Sequence, residues 1–353
     1  MKIFQKILIA TLLLTLLSCK NNSDSDGYLD PEKLFHSKRK TLIGEVLREP
    51  VWNDSFWSRL FHTQYGIITV SDINGQFIQL LDPETAEVLA YGGTRGRGPF
   101  EVINAGGWHY DYQTSTMYLG DAQLRKVVLF RIGPDSIEPY EEIKVPRAYA
   151  RAMRVDDSIF VGVNFAPNQA VGLFNLDGEY LVEHLYRPVE LEGMNFKNRY
   201  FTVSASLSPN RKYYAVSCSV FFNIRLYSIS DRNMDLVWEK ISFPPPNNTR
   251  DNWIIYSKDT RVGSTNSCNT DNYIYILAEN QNAEQHNKSA DNGTRKYKLK
   301  NLLVYDYSGE LVGNVILDHF ICGIAVSDDD KYLYGLTEIE DEFYIVRYDL
   351  EKM

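Results

Sequence analysis

Ser208-Pro-Asn-Arg-Lys-Tyr-Tyr-Ala-Val216, Asn269-Thr-Asp-Asn-Tyr-Ile-Tyr-Ile276 and Ser327-Asp-Asp-Asp-Lys-Tyr-Leu-Tyr-Gly335 repeat one design, a polar turn followed by an alternating strand. With the first strand residue after the turn as a marker, the series runs through the chain as Ile67, Met117, Ile159, Tyr213, Tyr273 and Tyr332. Successive markers lie 42 to 60 residues apart, so six units fill the body. Recurrence at a near-constant spacing marks a repeat architecture, in which each unit buries its apolar surface against its neighbours.

Each marker strand is followed by a second apolar strand and usually, after a tight turn, by a third. Those turns are Asp82-Pro-Glu-Thr85, Gly133-Pro-Asp-Ser136, Asp177-Gly-Glu179, Ser230-Asp-Arg-Asn233 and Tyr307-Ser-Gly-Glu310, rich in the residues that hairpins use. Adding the strand before each marker gives four per unit, which in unit two are residues 103–110, 117–120, 126–131 and 141–145. Four-stranded antiparallel sheets repeated radially predict an all-β fold, a six-bladed β-propeller. A pair of β-sandwiches would also alternate short strands, but would not require six equivalent columns or an orphan strand at each end. Extra blades would have to hide in the long gaps of units four and five, which are polar and strand-poor.

Unit six ends with its third strand, residues 343–350, and lacks an outermost one. Residues 40–48, apolar at Leu42, Val46 and Leu47, precede unit one without a sheet of their own. They are expected to complete the last blade, closing the ring and leaving no open edge at the seam.

The 353 residues are 44% hydrophobic and 13% aromatic, which suits half-buried pleated sheets and excludes a disordered or collagenous chain. Formal charge is −9 and becomes more negative once the N-terminal lysines are removed, which argues against a nucleic-acid partner. Residues 1–18 read as a leader, with Lys2 and Lys6 ahead of the apolar run Ile7 to Leu17. No later stretch is long and apolar enough to span a bilayer. Leu16-Leu17-Ser18-Cys19 resembles the bacterial lipobox, which implies a lipid on Cys19 and anchoring through several acyl chains. Residues 19–33 read as a flexible tether, and 34–353 as a single propeller domain. Acids at Asp24 and Asp26 leave the periplasmic and cell-surface faces of the outer membrane equally open.

Gly92-Gly-Thr-Arg-Gly-Arg-Gly-Pro-Phe-Glu101, with Met117-Tyr-Leu-Gly-Asp121 and Arg125-Lys-Val-Val-Leu-Phe130 after it, resembles the NHL repeat. With the lipobox, the chain is similar to the TolB-like six-bladed propeller lipoproteins of Gram-negative gut anaerobes. That resemblance implies the fold and an envelope location, and it implies no particular activity.

The glycines of 92–98 would let the chain turn with positive φ between blades, and Arg95 and Arg97 on that crossover would offer donors to an anionic or hydroxylated ligand. Asp72 and Asp121, at the ends of equivalent strands, would bond turn amides or pair with Arg125. In a propeller, the crossovers and the loops between second and third strands open on one face. The long excursions 92–106, 187–200, 244–266 and 279–300 all belong there and predict a binding face, the last of them a mobile loop. Arg250, Trp253, Tyr256 and Arg261 mix aromatic faces with hydrogen-bonding groups, as glycan and peptide sites do, or else fill the gap between blades. Trp108 and His109 are placed near the axial channel.

The six histidines show no paired spacing, no CxxC motif joins Cys218, Cys268 and Cys322, and no G-x-S-x-G elbow is present. Metal and cofactor are therefore expected to be none, and no catalytic residue is assigned. The expected function is a monomeric envelope lipoprotein that binds a protein, peptide or glycan on its loop-rich face. The alternatives are a polysaccharide hydrolase or lyase with its site at the channel mouth, and a signalling sensor domain.

Overall fold

The computed structural model describes residues 28–36, 38–52, 59–145, 152–164, 170–185, 203–218, 222–242, 248–250, 253–255, 258–282, 284–285, 288 and 299–353. Six four-stranded antiparallel blades are present. Blade 1 comprises Leu60–Thr63, Gly66–Ile73, Gln76–Leu81 and Val88–Thr94. Blade 2 comprises Gly107–Asp111, Thr116–Asp121, Lys126–Ile132 and Ile137–Lys144, its outer strand starting earlier than the sequence suggests. Blades 3 and 4 span Met153 to Leu185 and Val203 to Ser242. Blade 5 runs from Ser264 into the strand Leu311–Val326, which serves twice: its first half is the outer strand of blade 5 and its second half the inner strand of blade 6.

All six marker residues fall at the start of a second strand, where the chain emerges from a fixed turn. Ser115, Arg211 and Asp330, each two residues before a marker, share a left-handed backbone with φ of 51°, 60° and 59°. Second strands such as Thr116–Asp121 are buried along their whole length, because both faces pack on neighbouring blades. The core is accordingly divided into wedges. Ile68, Phe77, Leu119 and Phe130 fill the wedge between blades 1 and 2, and Val161, Leu173, Tyr214 and Tyr227 the one between blades 3 and 4.

The ring closes as expected in kind, by the N-terminal segment, but at a shifted position. Glu45–Val51 is the outermost strand of blade 6, with Val46 opposite Val346 and Val51 opposite Phe343. Lys40–Leu42 instead pairs in parallel with Val315–Leu317 on blade 5. Gly44 makes the switch between blades, since a Cβ there would overlap Val346 and the Tyr348 ring.

The belt starts earlier still. Tyr28–Leu29 adds a parallel strand to blade 4 opposite Ile241 and Ser242, and Pro31–His36 is a helix. Residues 28–33, read from the sequence as the end of the tether, are therefore docked on the body. Their apolar neighbours explain it: Leu34 and Phe35 insert between blades 4 and 5 against Phe222, Ile224 and Ile276. Asn314 Nδ2 donates to Leu34 O at 2.6 Å and Arg39 Nη1 to Asn301 Oδ1 at 2.6 Å, fixing the belt to blade 5. No helix of the described residues is long and apolar enough to cross a membrane.

Candidate ligand-binding site

The two faces of the ring differ. On the face carrying the turns between first and second strands, polar contacts tie neighbouring and more distant blades together around most of the ring. Gln64 of blade 1 donates to Ser115 Oγ of blade 2 at 2.9 Å. Arg211 of blade 4 reaches Asp111 of blade 2 at 2.5 Å and the Val155 carbonyl of blade 3 at 3.2 Å. The Asn210 amide donates to Asp271 of blade 5 at 3.1 Å, and Asn272 and Tyr275 donate to Asp330 of blade 6 at 2.8 and 2.9 Å. Asp328 of blade 6 lies 3.5 Å from His62 Nδ1 of blade 1, close but without a hydrogen bond between them.

Among the described residues, one side chain bridges the axial channel behind these contacts. Arg59 crosses it from blade 1 to blade 4, donating to Ala205 O at 2.6 Å and Ser204 Oγ at 2.7 Å. A cavity beside it is about 30 Å³ among the described residues, lined by Arg59, His109, Tyr112, Ser206, Cys268 and Asn269 among others, enough for water but not for a sugar. His109 lines it, whereas Trp108 packs into the wedge between blades 1 and 2. Burial lowers the His109 pKa from 6.5 to about 4, with Asp111 opposing and Arg211 and Arg59 reinforcing the shift, so the imidazole is neutral near pH 7.

On the opposite face, the glycine-rich crossover is built for closeness more than for unusual dihedrals. Only Gly93 among its glycines has positive φ, 74°, which corrects the expectation of a run of such turns. At Gly92 a Cβ would strike Ile137, and the Glu101 carboxylate lies over Gly96 and Gly98, accepting from the Gly98 amide at 2.6 Å. Phe100, with φ of 59°, makes the reversal instead. Asp121 carries the structural role read from sequence: it accepts the amides of Ile103 at 2.7 Å and Asn104 at 3.2 Å through Oδ2, and those of Gln123 and Leu124 through Oδ1.

Arg95 and Arg97 part company. Arg95 is ion-paired with Asp72 and its guanidinium lies 5.5 Å from the centre of the Phe77 ring, so it is a strut of blade 1 and not a free donor. Arg97 is exposed. Arg261 fastens its crossover to the following insertion, Nη1 donating to Asn280 Oδ1 at 3.2 Å. Asn248–Arg250 and Trp253–Ile255 form a small hairpin that pairs Arg250 with Trp253, but the side chains of both residues lie outside the described part. Cys19, Tyr256, the 187–200 excursion and most of 279–300 also lie outside the described residues.

Beside the crossover is an open concavity of about 450 Å³ at the corner of blade 2, lined by Leu124, Arg125, Lys126, Glu142, Lys144 and Val145. Lys126 is 5% exposed. Its Nζ donates to Glu142 Oε2 at 2.7 Å and to Gly98 O at 3.1 Å, and the Phe100 amide donates to the same Glu142 oxygen at 3.1 Å. The Lys126 bond holds the Glu142 carboxyl below its ordinary value, so it is ionised at neutral pH. The sequence reading missed Lys126, Glu142 and Lys144 because no motif links them. Their one local signal is Asp121 at the end of the second strand and the turn to Arg125 that the NHL-like pattern already marks.

No curated protein matches this chain. Two solved structures share its course over most of their length. One is a candidate exported protein of Bacteroides fragilis NCTC 9343, 10% identical, covering 87% of this chain and 98% of its own with a TM-score of 0.56. Another is a member of the DUF4221 family from Bacteroides vulgatus ATCC 8482, 11% identical, covering 88% and 96% with a TM-score of 0.56. At such identities the likeness is one of fold. The family model described as TolB-like 6-blade propeller-like matches residues 86–329, and with that match over more than half its length the chain belongs to this family of six-bladed propellers.

Proposed function

We propose that this protein is a lipid-anchored scaffold of the bacterial outer membrane that binds an envelope protein, peptide or glycan on its crossover face without catalysing a reaction. One observation supports the reading: an open concavity of about 450 Å³ lies on the crossover face, whereas the cavity found beside Arg59 near the axis is about 30 Å³ among the described residues. A hydrolase or lyase with its centre in the channel would need room for a saccharide beside two poised groups. The cavity found beside a neutral His109 among the described residues is about 30 Å³, which favours the binding reading over that one.

The address rests on Cys19 behind an apolar leader. Labelling cells with a radioactive fatty acid tests it: label is expected in the parent chain and absent from Cys19→Ala, and label in both would refute it. The scaffold reading is tested by binding full-length protein to panels of envelope proteins and glycans. Turnover of any panel glycan, with a product appearing over time, would sink the non-catalytic assignment.

A further inference from the structure

The scaffold reading names a face but no ligand chemistry, and the corner of blade 2 supplies some. We propose that the concavity beside the glycine-rich crossover binds the carboxylate of an acidic saccharide, with Arg125, Lys126 and Lys144 as its cationic wall and Glu142 as acceptor for a neighbouring hydroxyl. The inference rests on the scaffold reading and deepens it.

Four observations converge. First, three cations face one acid in a hollow of about 450 Å³, the size of a small-ligand site, on a chain whose net charge is −9. Second, Lys126 is almost fully buried, and two of its three ammonium hydrogens are taken by Glu142 and Gly98 among the described residues. A third charge-assisted bond remains for a ligand. Third, Arg125 has φ of 54°, a left-handed backbone that an arginine adopts at a cost, where the matching turn of blade 1 uses Asn74-Gly75. Its carbonyl accepts the Val145 amide at 2.9 Å, which pins the strained turn at the rim of the hollow. Fourth, Phe100, whose backbone amide donates to Glu142, is an aromatic residue 36% exposed next to the hollow, the kind of surface a sugar face packs on.

The acid decides which anion fits. Glu142 accepts hydrogen bonds from hydroxyls, which a sugar acid carries beside its carboxylate and inorganic phosphate offers without the ring, so an anion flanked by hydroxyls uses both the cations and the acid. An extended acidic peptide is disfavoured on the adjoining edge. The outer strand Ile137–Lys144 carries Pro139, Glu138 and Glu141 and is bulged against Leu129 and Phe130, all devices that block strand addition.

The test is calorimetric titration of the full-length protein in detergent with a galacturonic acid tetrasaccharide, a neutral galactose tetrasaccharide and inorganic phosphate, at low and high salt. Saturable binding of the acidic tetrasaccharide that weakens with salt is expected, with neither comparator binding. Arg125→Gly and Lys144→Gln should each weaken it by about tenfold or more, the worth of one charge-assisted bond. Arg125→Gly suits the positive φ and should unfold no earlier than the parent, and Arg48→Gln on blade 6 controls for net charge. Equal binding of the neutral sugar, displacement by equimolar phosphate, or unchanged binding in both blade 2 variants overturns the proposal. If the acidic sugar fails while another envelope ligand binds the crossover face, the proposal falls and the scaffold reading survives. If no ligand of any class binds, both fall.

Discussion

Arg211 Nη2 lies 2.5 Å from Asp111 Oδ2, joining blade 4 to blade 2 while Nη1 of the same guanidinium holds the Val155 carbonyl of blade 3. One side chain thus spans three blades. The Asp111 side chain is 2% exposed, so its charge depends on this partner and on the Thr114 hydroxyl, which donates at 2.6 Å.

Replacing Arg211 by Met leaves a buried carboxylate without its countercharge. Destabilisation of about 3 kcal/mol is expected, as for other broken buried pairs, measured by urea unfolding. Burial raises the Asp111 pKa, but Arg211 and Thr114 bring it below the ordinary 3.8. The stabilisation from that lowered value is present above the unfolded pKa and is lost as pH falls through the folded one. The parent should therefore lose stability below about pH 4, and Arg211→Met should lose less of it there.

His109 shapes a separate pH window. Its folded pKa is about 4 against 6.5 for a free imidazole, so between these values the unfolded chain binds a proton that the folded chain does not. Stability should fall by about 3 kcal/mol as pH drops from 7 to 4. In His109→Gln that slope should vanish, and an unchanged slope in chemical denaturation would refute the assignment.

The belt is expected to contribute to stability as core does. Phe35 is 2% exposed and meets Phe222 edge-on at 6.0 Å, so Phe35→Ala should cost about 3 kcal/mol in thermal or urea unfolding. Gly44→Ala should also destabilise, because its methyl group has nowhere to go between Val346 and Tyr348. A neutral result for both would mean that the belt is not part of the cooperative fold.

The cysteines of the body should be inert. Cys218 and Cys322 are buried, burial pushes the Cys322 thiol up to about 12, and burial raises the Cys268 thiol as well. Native protein treated with a thiol reagent at pH 8 should show no modification of these three by mass spectrometry, and full modification after denaturation.

The repeat, its six units and the use of an N-terminal strand to close the ring were readable because they reside in local pattern. A polar turn of defined type precedes each marker strand, and alternation of side chains along a strand is a property of the chain itself. What misled was also local. Residues 28–33 look like the end of a tether because their sequence is short and mixed, yet Leu34 and Phe35 just beyond find a cleft between blades 4 and 5 that no local pattern announces.

Arg95 and Arg97 are two residues apart, equivalent in sequence and both exposed, but Asp72 on the preceding blade takes Arg95 as its ion-pair partner. Lys126 and Glu142, sixteen positions apart, become neighbours only because an outer strand folds back along its partner. Chain pattern therefore settled the number of blades and the manner of closure. Which cations are spent on struts and which face solvent was decided by packing between blades, since ion pairing depends on distances that only the closed ring creates.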